Sequence, residues 1–438
     1  MKVSISGVRG IFGQDLTLHD VLRFCRAFST LISKECVLAR DTRESSKVIS
    51  ETAAAALMER GIDVYNLGIA PTPFAFREAR RHGAALIVTA SHNPLEWNGL
   101  KFVLDGRGIF EEELEKIRTA TDTKIKSIGI EHPADSSYVN DIMSLIGKID
   151  GSVKIAVDAA GGSACGYATS ILSNIGCLVT SINDKHGISS RAPDPTSDRL
   201  NDLQNVVVNQ KCEIGFAFDL DGDRLVVMDK NGFKLRPDIT LLLCVARAAE
   251  MGVREFVVSL DTSMAVEDYL NNMNCKVHRA KVGEANVVRE MLKRGIAAGG
   301  EGSSGGFILK DFNMCRDGML ASVFITSLLR SKTYDECVTL ASNYHLVRGK
   351  IEADSSLHNE IIGNMEEVLK NESSSIDYLD GMAASIDDSW VLIRGSNTEH
   401  SIRLSVESKS EERSKRLYSK YEEKIREENE RIKRKAGN

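Results

Sequence analysis

The passage "CVLARDTRESS" (residues 36–46) is an apolar run that ends in an aspartate and continues into small polar residues that open a helical pattern. The passages "VKIAVDAAGGSA" (153–164) and "FVVSLDTSMA" (256–265) have the same form. After a helical stretch, each passage is followed by a second apolar strand, and strands that alternate with helices are typical of α/β modules. The sequence therefore predicts three related α/β modules of about 100 to 140 residues each.

Asp41, Asp158 and Asp261 hold the same place in the three passages, and we call them the repeated aspartates. Asp, Ser and Thr are preferred at helix N-caps because their side-chain oxygens accept hydrogen bonds from free backbone N–H groups. We therefore expect the repeated aspartates and the hydroxyl residues beside them to cap the helices that follow.

A second group of strands runs into unusual loops, in "ALIVTASHNP" (85–94), "IGFAFDLDGDR" (214–224) and "IAAGGEGSSGG" (296–306). In open α/β sheets, ligands bind outside the carboxyl ends of the strands. Each module is therefore expected to contribute one loop to a binding site.

The last part of the chain differs from the modules. "DDSWVLIRGSNTEHSIRLSVES" (387–408) indicates two strands around a polar loop. The charged tail indicates a helix that packs through Leu417, Tyr421 and Ile425, which recur at i, i+4 and i+8. We interpret this segment as a smaller α+β domain. The predicted domains are 1–148, 149–238, 239–345 and 346–438.

The 438-residue chain is 42% hydrophobic and 27% charged with a net charge of −6, which gives no electrostatic reason to expect nucleic-acid binding. No apolar run reaches the ~18 to 20 residues that span a bilayer, and the N-terminus lacks the apolar region of a signal peptide. Nine cysteines without a CxxC pair argue against disulfides and against a zinc site, and Cys177 and Cys244 lie in apolar runs. We expect a cytoplasmic protein with no membrane partner.

The stretch "DLDGDR" places Asp219, Asp221 and Asp223 directly after an apolar strand. Such carboxylates repel one another unless a cation neutralises them, and oxygen ligands suit a hard cation such as Mg²⁺. An EF-hand fails on spacing, because its sixth position holds Arg224 and its twelfth holds Lys230. A phosphatase that attacks phosphorus through Asp219 and a plain acidic turn are the alternatives.

"TASHNPLEWNGLKF" (89–102) offers a hydroxyl at Ser91, an imidazole at His92 and an ammonium at Lys101. Strand ends that run into small polar residues are common places for chemistry, which makes Ser91 a candidate nucleophile or phosphate carrier. The Asn-Pro pair after His92 favours a simple turn instead.

Two glycine-containing loops are weaker candidates. In "GGEGSSGG", glycines allow a ligand to approach the backbone, Glu301 offers a carboxylate to sugar hydroxyls, and Ser303 or Ser304 offers a hydroxyl. A flexible turn is an equally good interpretation of this loop. In "GVRG", Arg9 lies between glycines in a manner that suits an anion.

"RGSNTEHSIR" combines arginines, which match phosphate geometry, with short hydroxyl and amide side chains. The alternative is a polar hairpin turn. The candidate phosphate-binding residues are Arg394, Ser396, Asn397, Thr398 and Arg403.

The motifs keep one order along the whole chain: "GVRG", "ARDTRESS", "TASHNP", "NGLK", "DLDGDR", "KVG", "GGEGSSGG", "RDG" and "RGSNTEH". In this order the chain resembles the α-D-phosphohexomutase family, which includes phosphoglucomutase, phosphomannomutase and phosphoglucosamine mutase. The pair "TASHNP" and "DLDGDR" is the most specific part of the resemblance. The family resemblance implies an α/β fold of three similar modules with mixed sheets and a smaller C-terminal α+β domain, arranged around a central cleft.

The resemblance also implies roles for single residues. Ser91 corresponds to a phosphoserine that donates and recovers a phosphoryl group, and it shares the bound Mg²⁺ with the three aspartates of "DLDGDR". Arg9, His92, Lys101 and Arg224 are implied to support the transfer. The implied substrate-binding residues are Lys281, Glu301 and Ser303 for the sugar and Arg394, Ser396, Asn397, Thr398 and Arg403 for the phosphate that does not react.

The implied activity is an isomerisation by intramolecular phosphotransfer between the 6-phosphate and the 1-phosphate of a hexose or hexosamine. The implied cofactors are Mg²⁺ and a hexose 1,6-bisphosphate, which is both activator and intermediate, and the only implied partner is the small phosphosugar. We expect a phosphoglucosamine mutase, with a phosphomannomutase or phosphoglucomutase as the alternative. A Mg²⁺-dependent sugar phosphatase and a non-catalytic sugar-phosphate binder are the alternatives from other classes.

The chain departs from many relatives at two places and there resembles archaeal members. His400 stands where many relatives carry proline. Gly305-Gly306 stands where many carry Gly-His, with an extra serine before it. These departures leave the general base, the choice between Ser303 and Ser304, and the preferred sugar open.

Overall fold

The computed structural model of the protein describes residues 1–120, 127–149, 151–396 and 400–436. Its first module is built on an eight-stranded sheet in the order β1-β2-β6-β5-β3-β4-β8, with β7 paired to β6. Its elements are β1 (Lys2–Ser4), β2 (Gly7–Ile11), α1 (Leu18–Ser29), β3 (Glu35–Arg40), α2 (Ser46–Glu59), β4 (Asp63–Ile69), α3 (Thr72–His82), β5 (Ala84–Val88), β6 (Trp97–Leu104), β7 (Arg107–Gly108), α4 (Glu111–Thr119), β8 (Glu131–Pro133) and α5 (Tyr138–Ile146).

The second and third modules each contain one four-stranded sheet. The elements of the second are β9 (Lys154–Asp158), α6 (Tyr167–Asn174), β10 (Leu178–Ile182), α7 (Asn201–Asn209), β11 (Ile214–Phe218) and β12 (Leu225–Asp229). The elements of the third are α8 (Pro237–Glu250), β13 (Glu255–Ser259), α9 (Met264–Asn272), β14 (Lys276–Ala280), α10 (Glu284–Arg294), β15 (Ala298–Glu301), β16 (Gly306–Leu309), α11 (Gly318–Leu328) and α12 (Lys332–Ser342).

The three modules share one strand order. The series β4-β3-β5-β6, β10-β9-β11-β12 and β14-β13-β15-β16 each join three parallel strands to a fourth antiparallel one. The prediction of three similar α/β modules with mixed sheets is therefore confirmed. Because the chemically unusual loops follow β5, β11 and β15, they leave the same position in each sheet.

The C-terminal domain is a five-stranded antiparallel sheet in the order β17-β21-β20-β19-β18. Its elements are β17 (His345–Glu352), a short 3₁₀ helix (Ser355–Leu357), α13 (His358–Lys370), β18 (Ser375–Asp377), β19 (Met382–Ile386), β20 (Ser389–Gly395), β21 (Ser401–Ser408) and α14 (Glu411–Ala436). Leu417, Tyr421 and Ile425 are buried against this sheet, as the sequence predicts. The pair of strands around a polar loop is likewise confirmed.

One continuous apolar core joins the three modules. It includes Phe74 of α3, Phe216 of β11, Leu242 of α8 and Phe324 of α11, all essentially inaccessible to solvent. Burying each such side chain stabilises the fold by about 1.5 to 3 kcal/mol. This shared packing holds the loops of different modules in a defined relation, whereas the C-terminal sheet has a core of its own.

The prediction that the repeated aspartates cap the following helices is wrong. The N-cap residues of α2, α6 and α9 are Ser45, Gly166 and Ser263, and only Ser263 makes a side-chain cap. The aspartates lie earlier, directly at the ends of the strands, where they are buried and accept hydrogen bonds from other groups. A buried carboxylate needs several donors, and tertiary contacts supply them here.

All nine cysteines are buried thiols, including Cys177 and Cys244. Within the described ranges, we find no helix whose length and apolar character would allow it to cross a membrane.

Candidate active site

Ser91 lies in the segment of residues 89–97, which runs from the end of β5 to the first residue of β6 and which we call the serine loop. Its side chain is buried and its φ of 50° falls in the left-handed region, which residues other than glycine rarely adopt. The Ser91 N–H donates to Thr89 Oγ1 at 2.8 Å. A strained conformation of this kind persists only where surrounding contacts impose it.

Arg43 imposes much of this conformation. Its guanidinium Nε donates to Asp41 Oδ2 at 3.0 Å, and both side chains are completely buried. The remaining guanidinium nitrogens donate to four backbone oxygens of the serine loop, those of Ser91 (2.6 Å), Asn93 (2.7 Å), Pro94 and Trp97 (3.0 Å). Sequence reasoning missed Arg43, although it stands inside "ARDTRESS".

Asp219, Asp221 and Asp223 follow β11 in the loop of residues 219–224, which we call the triad loop. All three are buried, and one ligand oxygen of each lies within 4.8 Å of the others. Asp221 Oδ1 and Asp223 Oδ1 have no hydrogen-bond partner among the described residues. Orphaned buried carboxylate oxygens are costly, and three buried carboxylates that converge on one point suit a hard divalent cation, so the donor set fits Mg²⁺.

The serine loop and the triad loop meet directly. Ser91 Oγ donates to Asp219 Oδ2 at 2.8 Å. Thr72, at the start of α3 in the first module, donates through Oγ1 to Asp221 Oδ2 at 2.7 Å. A hydroxyl from the first module therefore lies at the edge of the carboxylate cluster of the second.

Positively charged side chains surround the three aspartates of the triad loop, but they do not neutralise the three carboxylates equally. Lys101 Nζ donates to Asp223 Oδ2 at 3.0 Å, and Arg224 Nε lies 4.0 Å from Asp219 Oδ2. Burial would raise the pKa of Asp223, but Lys101, Arg316 and Arg224 outweigh that effect and lower it. Burial and the two neighbouring carboxylates raise the pKa of Asp219 well above its ordinary value.

Arg316 links the triad loop to the third module, and sequence reasoning missed it as well. It lies 3.5 Å from Asp223 Oδ2, 3.1 Å from Glu284 and 3.7 Å from Glu301. In the sequence, Arg316 is marked only by the motif "RDG", whose residue types do not indicate a specific role. Its guanidinium therefore contacts acidic residues of both the second and the third module.

His92 and Arg9 lie beside the serine loop. His92 Nδ1 is 3.5 Å from Ser91 Oγ, and Arg9 donates to Asn93 Oδ1 at 3.0 Å. Burial, followed by the charge of Arg224, lowers the pKa of His92 to about 3. His92 is therefore a neutral imidazole near pH 7 in this arrangement.

The loop of residues 299–306, which we call the glycine loop, carries Glu301 in a buried position. Burial raises the pKa of this carboxyl. Ser303 Oγ donates to Glu301 Oε1 at 3.2 Å, whereas Ser304 Oγ lies within the turn, 3.4 Å from the Glu301 carbonyl oxygen. Lys281 directly follows β14 and is exposed.

Arg394 and Arg403, which we call the arginine pair, lie directly opposite each other on β20 and β21. Lys350 of β17 lies opposite Arg403 on the other side, so three cationic side chains cross one face of the sheet. Like charges in register destabilise a sheet unless an anion offsets them. Ser396 donates its N–H to the Ser401 carbonyl oxygen at 2.9 Å. The predicted residues Asn397 and Thr398 lie outside the described residues.

The same face of the C-terminal sheet is attached to the third module. Arg348 donates to both carboxylate oxygens of Asp238 at 2.8 and 3.0 Å and to the Asp261 carbonyl at 2.7 Å. Glu407 accepts the Met264 N–H at 2.7 Å. Arg348 lies opposite Ser405, which is two residues from Arg403 on β21. Residues two apart on a strand share a face, so the arginine pair lies on the face that meets this module.

Comparison with known proteins follows the division into modules. Residues 1–127, 136–232 and 236–344 match the models described as phosphoglucomutase/phosphomannomutase, alpha/beta/alpha domains I, II and III.

Relatives extend over nearly the whole chain. A protein of Methanopyrus kandleri named "Probable phosphoglucosamine mutase" is 31% identical over 439 aligned positions, covering 96% of this chain and 97% of the relative. A "Phosphoglucomutase/phosphomannomutase" of Thermococcus kodakarensis is 32% identical, covering 93% and 95%. The crystal structure of a phosphoglucomutase/phosphomannomutase family protein from Burkholderia thailandensis superimposes with a TM-score of 0.84 at 24% identity, covering 98% of both chains.

Proposed function

The chain belongs to the phosphoglucomutase/phosphomannomutase family of phosphohexomutases, and on that premise we propose that it interconverts glucosamine 6-phosphate and glucosamine 1-phosphate. Enzymes of this family are isomerases that move a phosphoryl group within the sugar. Glucosamine is the proposed sugar because several relatives of about 30% identity are named phosphoglucosamine mutases.

One observation carries the proposal: the Ser91 hydroxyl is hydrogen bonded at 2.8 Å to a buried three-carboxylate cluster. A phosphoryl group on Ser91 Oγ would lie beside that cluster and beside Lys101 and Arg224. Phosphoryl transfer requires mainly positioning and neutralisation of charge, and this arrangement supplies both.

The reaction balances with Ser91 as carrier. A free hydroxyl of the sugar phosphate attacks phosphorus on Ser91, the bond from phosphorus to Ser91 Oγ breaks, and the hydroxyl proton passes to the released serine oxygen. The resulting hexose 1,6-bisphosphate turns within the site and returns its other phosphoryl group to Ser91 Oγ. The hexose 1,6-bisphosphate is therefore also able to charge an unphosphorylated enzyme.

Mg²⁺ bound by Asp219, Asp221 and Asp223 would neutralise charge on the transferring phosphoryl group. Arg9 contacts Asn93 of the serine loop, and His92 lies beside Ser91. Both are proposed to contact that phosphoryl group. A neutral His92 carries one N–H group that can donate to a phosphate oxygen.

Substrate binding is assigned to the third module and the C-terminal domain. Glu301 and Ser303 are proposed to bind the sugar hydroxyls, with Lys281 at the rim. Arg394, Ser396 and Arg403, together with Asn397 and Thr398, are proposed to hold the phosphate that does not react. Arginine suits this duty because its planar fork matches phosphate oxygens.

Two other activities are less well supported. The Thermococcus relative supports a phosphoglucomutase/phosphomannomutase as the second candidate. A phosphatase that acts through Asp219 fits poorly, because Asp219 is fully buried and its two oxygens accept from Ser91 Oγ (2.8 Å) and the Arg224 N–H (3.1 Å).

The nine buried thiols fit a reducing compartment, and we propose that the enzyme is cytoplasmic.

The test is an assay of the purified protein with Mg²⁺ and catalytic hexose 1,6-bisphosphate on glucosamine 6-phosphate, glucose 1-phosphate and mannose 1-phosphate. We expect isomerisation of all three to be measurable only with phosphorylated Ser91 and the highest kcat/KM for glucosamine 6-phosphate. A higher kcat/KM for mannose or glucose 1-phosphate would select the second candidate. Release of inorganic phosphate without isomerisation would select the phosphatase.

A further inference from the structure

We propose that the repeated aspartates are positioning residues, each of which holds one loop of the active site: Asp41 the serine loop, Asp158 the triad loop and Asp261 the glycine loop. The proposal rests on the proposed function for the meaning of the three loops. It replaces the helix-capping role that the local sequence pattern suggests.

The topology makes this division possible. The repeated aspartates lie at or just beyond the carboxyl ends of β3, β9 and β13. In each module, the strand that carries the loop is the parallel neighbour of that strand, namely β5, β11 or β15. Each aspartate therefore lies one strand away from the loop of its own module, and all three are buried at 3% exposure or less.

In the first module, Asp41 acts through two groups. Its Oδ2 accepts Arg43 Nε at 3.0 Å and Thr89 Oγ1 at 2.7 Å. Arg43 in turn holds four carbonyl oxygens of the serine loop, and Thr89 accepts the Ser91 N–H. The carboxylate thus orients the groups on both sides of the serine that adopts the left-handed conformation.

In the second module, Asp158 acts through Arg191 and through a tight turn. Arg191 Nε donates to Asp158 Oδ2 at 2.8 Å. Arg191 Nη2 donates to the carbonyl oxygen of Phe218, the residue before the triad loop, at 2.7 Å. Asp158 Oδ1 also accepts the Ala160 N–H at 2.9 Å. The turn so formed delivers the Ser163 N–H to the Leu220 carbonyl, inside the triad loop, at 2.9 Å.

The same turn approaches the triad loop closely enough to require glycine. A Cβ on Gly162 would lie 2.5 Å from the Leu220 carbonyl oxygen, which is too short for any carbon. The turn and the triad loop are therefore packed backbone against backbone, and a shift of one displaces the other.

In the third module, Asp261 acts through Ser259. Ser259 Oγ donates to Asp261 Oδ1 at 2.6 Å and accepts the Gly302 N–H at 3.1 Å. Thr262 Oγ1 accepts the same N–H at 3.1 Å. Because Gly302 follows Glu301, this network sets the direction of the carboxylate that is proposed to bind the sugar.

The test is one substitution made three times, Asp→Asn at 41, 158 and 261. Asparagine keeps the size of the side chain but removes its negative charge. It also replaces one hydrogen-bond-accepting oxygen of the carboxylate by an NH₂ group, which only donates. Three quantities are measured for each variant. The first is the rate at which glucose 1,6-bisphosphate phosphorylates Ser91, followed by intact mass. The other two are the affinities for Mg²⁺ and for glucosamine 6-phosphate, both measured by calorimetry.

We expect a selective pattern. Outer-shell partners of a functional group typically change its affinity or activity by about 10- to 100-fold. Asp41→Asn should lower the phosphorylation rate by that order with Mg²⁺ affinity within about threefold of the parent, Asp158→Asn should chiefly weaken Mg²⁺, and Asp261→Asn should chiefly weaken the sugar phosphate.

The matched control is Asp184→Asn. Asp184 accepts the Gly166 N–H at 2.6 Å and Thr169 Oγ1 at 2.9 Å, near the start of α6, and none of its described hydrogen bonds reaches the three loops. All three readouts of this variant should match the parent. Variants that fold poorly by circular dichroism are replaced by the milder Arg43→Lys, Arg191→Lys and Ser259→Ala, which keep the aspartate and break the link to the loop.

Losses that are equal across the three readouts, or that follow the fall in melting temperature, would overturn the proposal, and so would parent-like values in the selected readout. Failure of the proposed function is separate, because it appears in the parent protein: a parent whose Ser91 is not phosphorylated by the bisphosphate refutes the mutase while the Mg²⁺ readout still decides the role of Asp158.

Discussion

The serine–triad centre and the arginine pair differ in how their side chains are held. Ser91 and the three triad aspartates are almost inaccessible to solvent, and Ser91 and Asp219 are joined by a hydrogen bond between two modules of a shared core. Arg394 and Arg403 are half-buried and lie on a sheet with a separate core. Groups that make and break bonds need fixed positions, whereas the proposed role of the arginine pair is to bind the non-reacting phosphate of a sugar in two orientations.

The two regions also differ in how they are connected to the rest of the molecule. The serine loop is held from within its own module by Arg43, whose side chain is completely buried. The arginine pair is positioned by a domain that meets the third module through polar contacts such as Arg348–Asp238. If this comparison is correct, changes at the centre should reduce the rate of chemistry, and changes at the arginine pair should reduce binding.

The largest expected effect is that of Ser91→Ala. Removing the proposed phosphoryl carrier should lower mutase turnover by on the order of 10⁴-fold or more, because no other group can hold the phosphoryl group between the two half-reactions. Intact mass of the parent, mapped to peptides, should show phosphate on Ser91, and the variant should show none. Parent-like turnover in the variant would refute the phosphoserine mechanism.

A somewhat smaller effect is expected from Asp221→Asn. Loss of one charged ligand should weaken Mg²⁺ binding and lower turnover by roughly 10²- to 10³-fold, since charge neutralisation by a metal is worth several kcal/mol. Calorimetric Mg²⁺ titration and turnover in chelator-treated protein measure this. The control is Asp229→Asn at the end of β12, whose carboxylate accepts loop N–H groups of Asn231 and Phe233. Turnover that is independent of Mg²⁺ in the parent would contradict the assignment.

An intermediate effect is expected at the arginine pair. Arg394→Ala and Arg403→Ala should each raise KM by roughly 10- to 150-fold, because a charge-assisted bond to phosphate is worth about 1.5 to 3 kcal/mol. The bisphosphate should escape before it has turned, so its release into solution should increase. Slow hydrolysis of phosphorylated Ser91 by water should stay close to the parent rate. A fall in kcat at constant KM would erase the distinction between the two regions.

The smallest expected effect separates the two serines of the glycine loop. The Ser303 hydroxyl donates to the Glu301 carboxylate, and both groups are proposed to bind the sugar. Ser303→Ala should therefore raise the KM for the sugar phosphate by about 2- to 12-fold, which corresponds to the loss of one neutral hydrogen bond to the sugar. Ser304→Ala should change KM less, because Ser304 Oγ is engaged within the turn. Steady-state kinetics on both variants give the comparison, and a larger effect at Ser304 would reverse the assignment.

The principal groups of the candidate site can be proposed from motif chemistry in the sequence. Three carboxylates in five residues after an apolar strand repel one another wherever the chain folds, so "DLDGDR" indicates a cation site by itself. The arginines of "RGSNTEHSIR" and the serine of "TASHNP" carry similar local information. Their relation in space, such as the 2.8 Å bond from Ser91 to Asp219 across 128 residues of chain, is not contained in either motif.

The repeated modules, the order of the loops and the final helix can be predicted from the sequence alone, because hydrophobic periodicity and turn chemistry act over a few residues. The contacts that the repeated aspartates, Arg43 and Arg316 make depend instead on the tertiary structure. A strand-end aspartate before a helix looks like a cap locally, but a buried carboxylate is held by whichever donors the fold brings to it. Here those donors come from neighbouring strands and loops, so the role of each carboxylate follows from packing rather than from its own flanking residues.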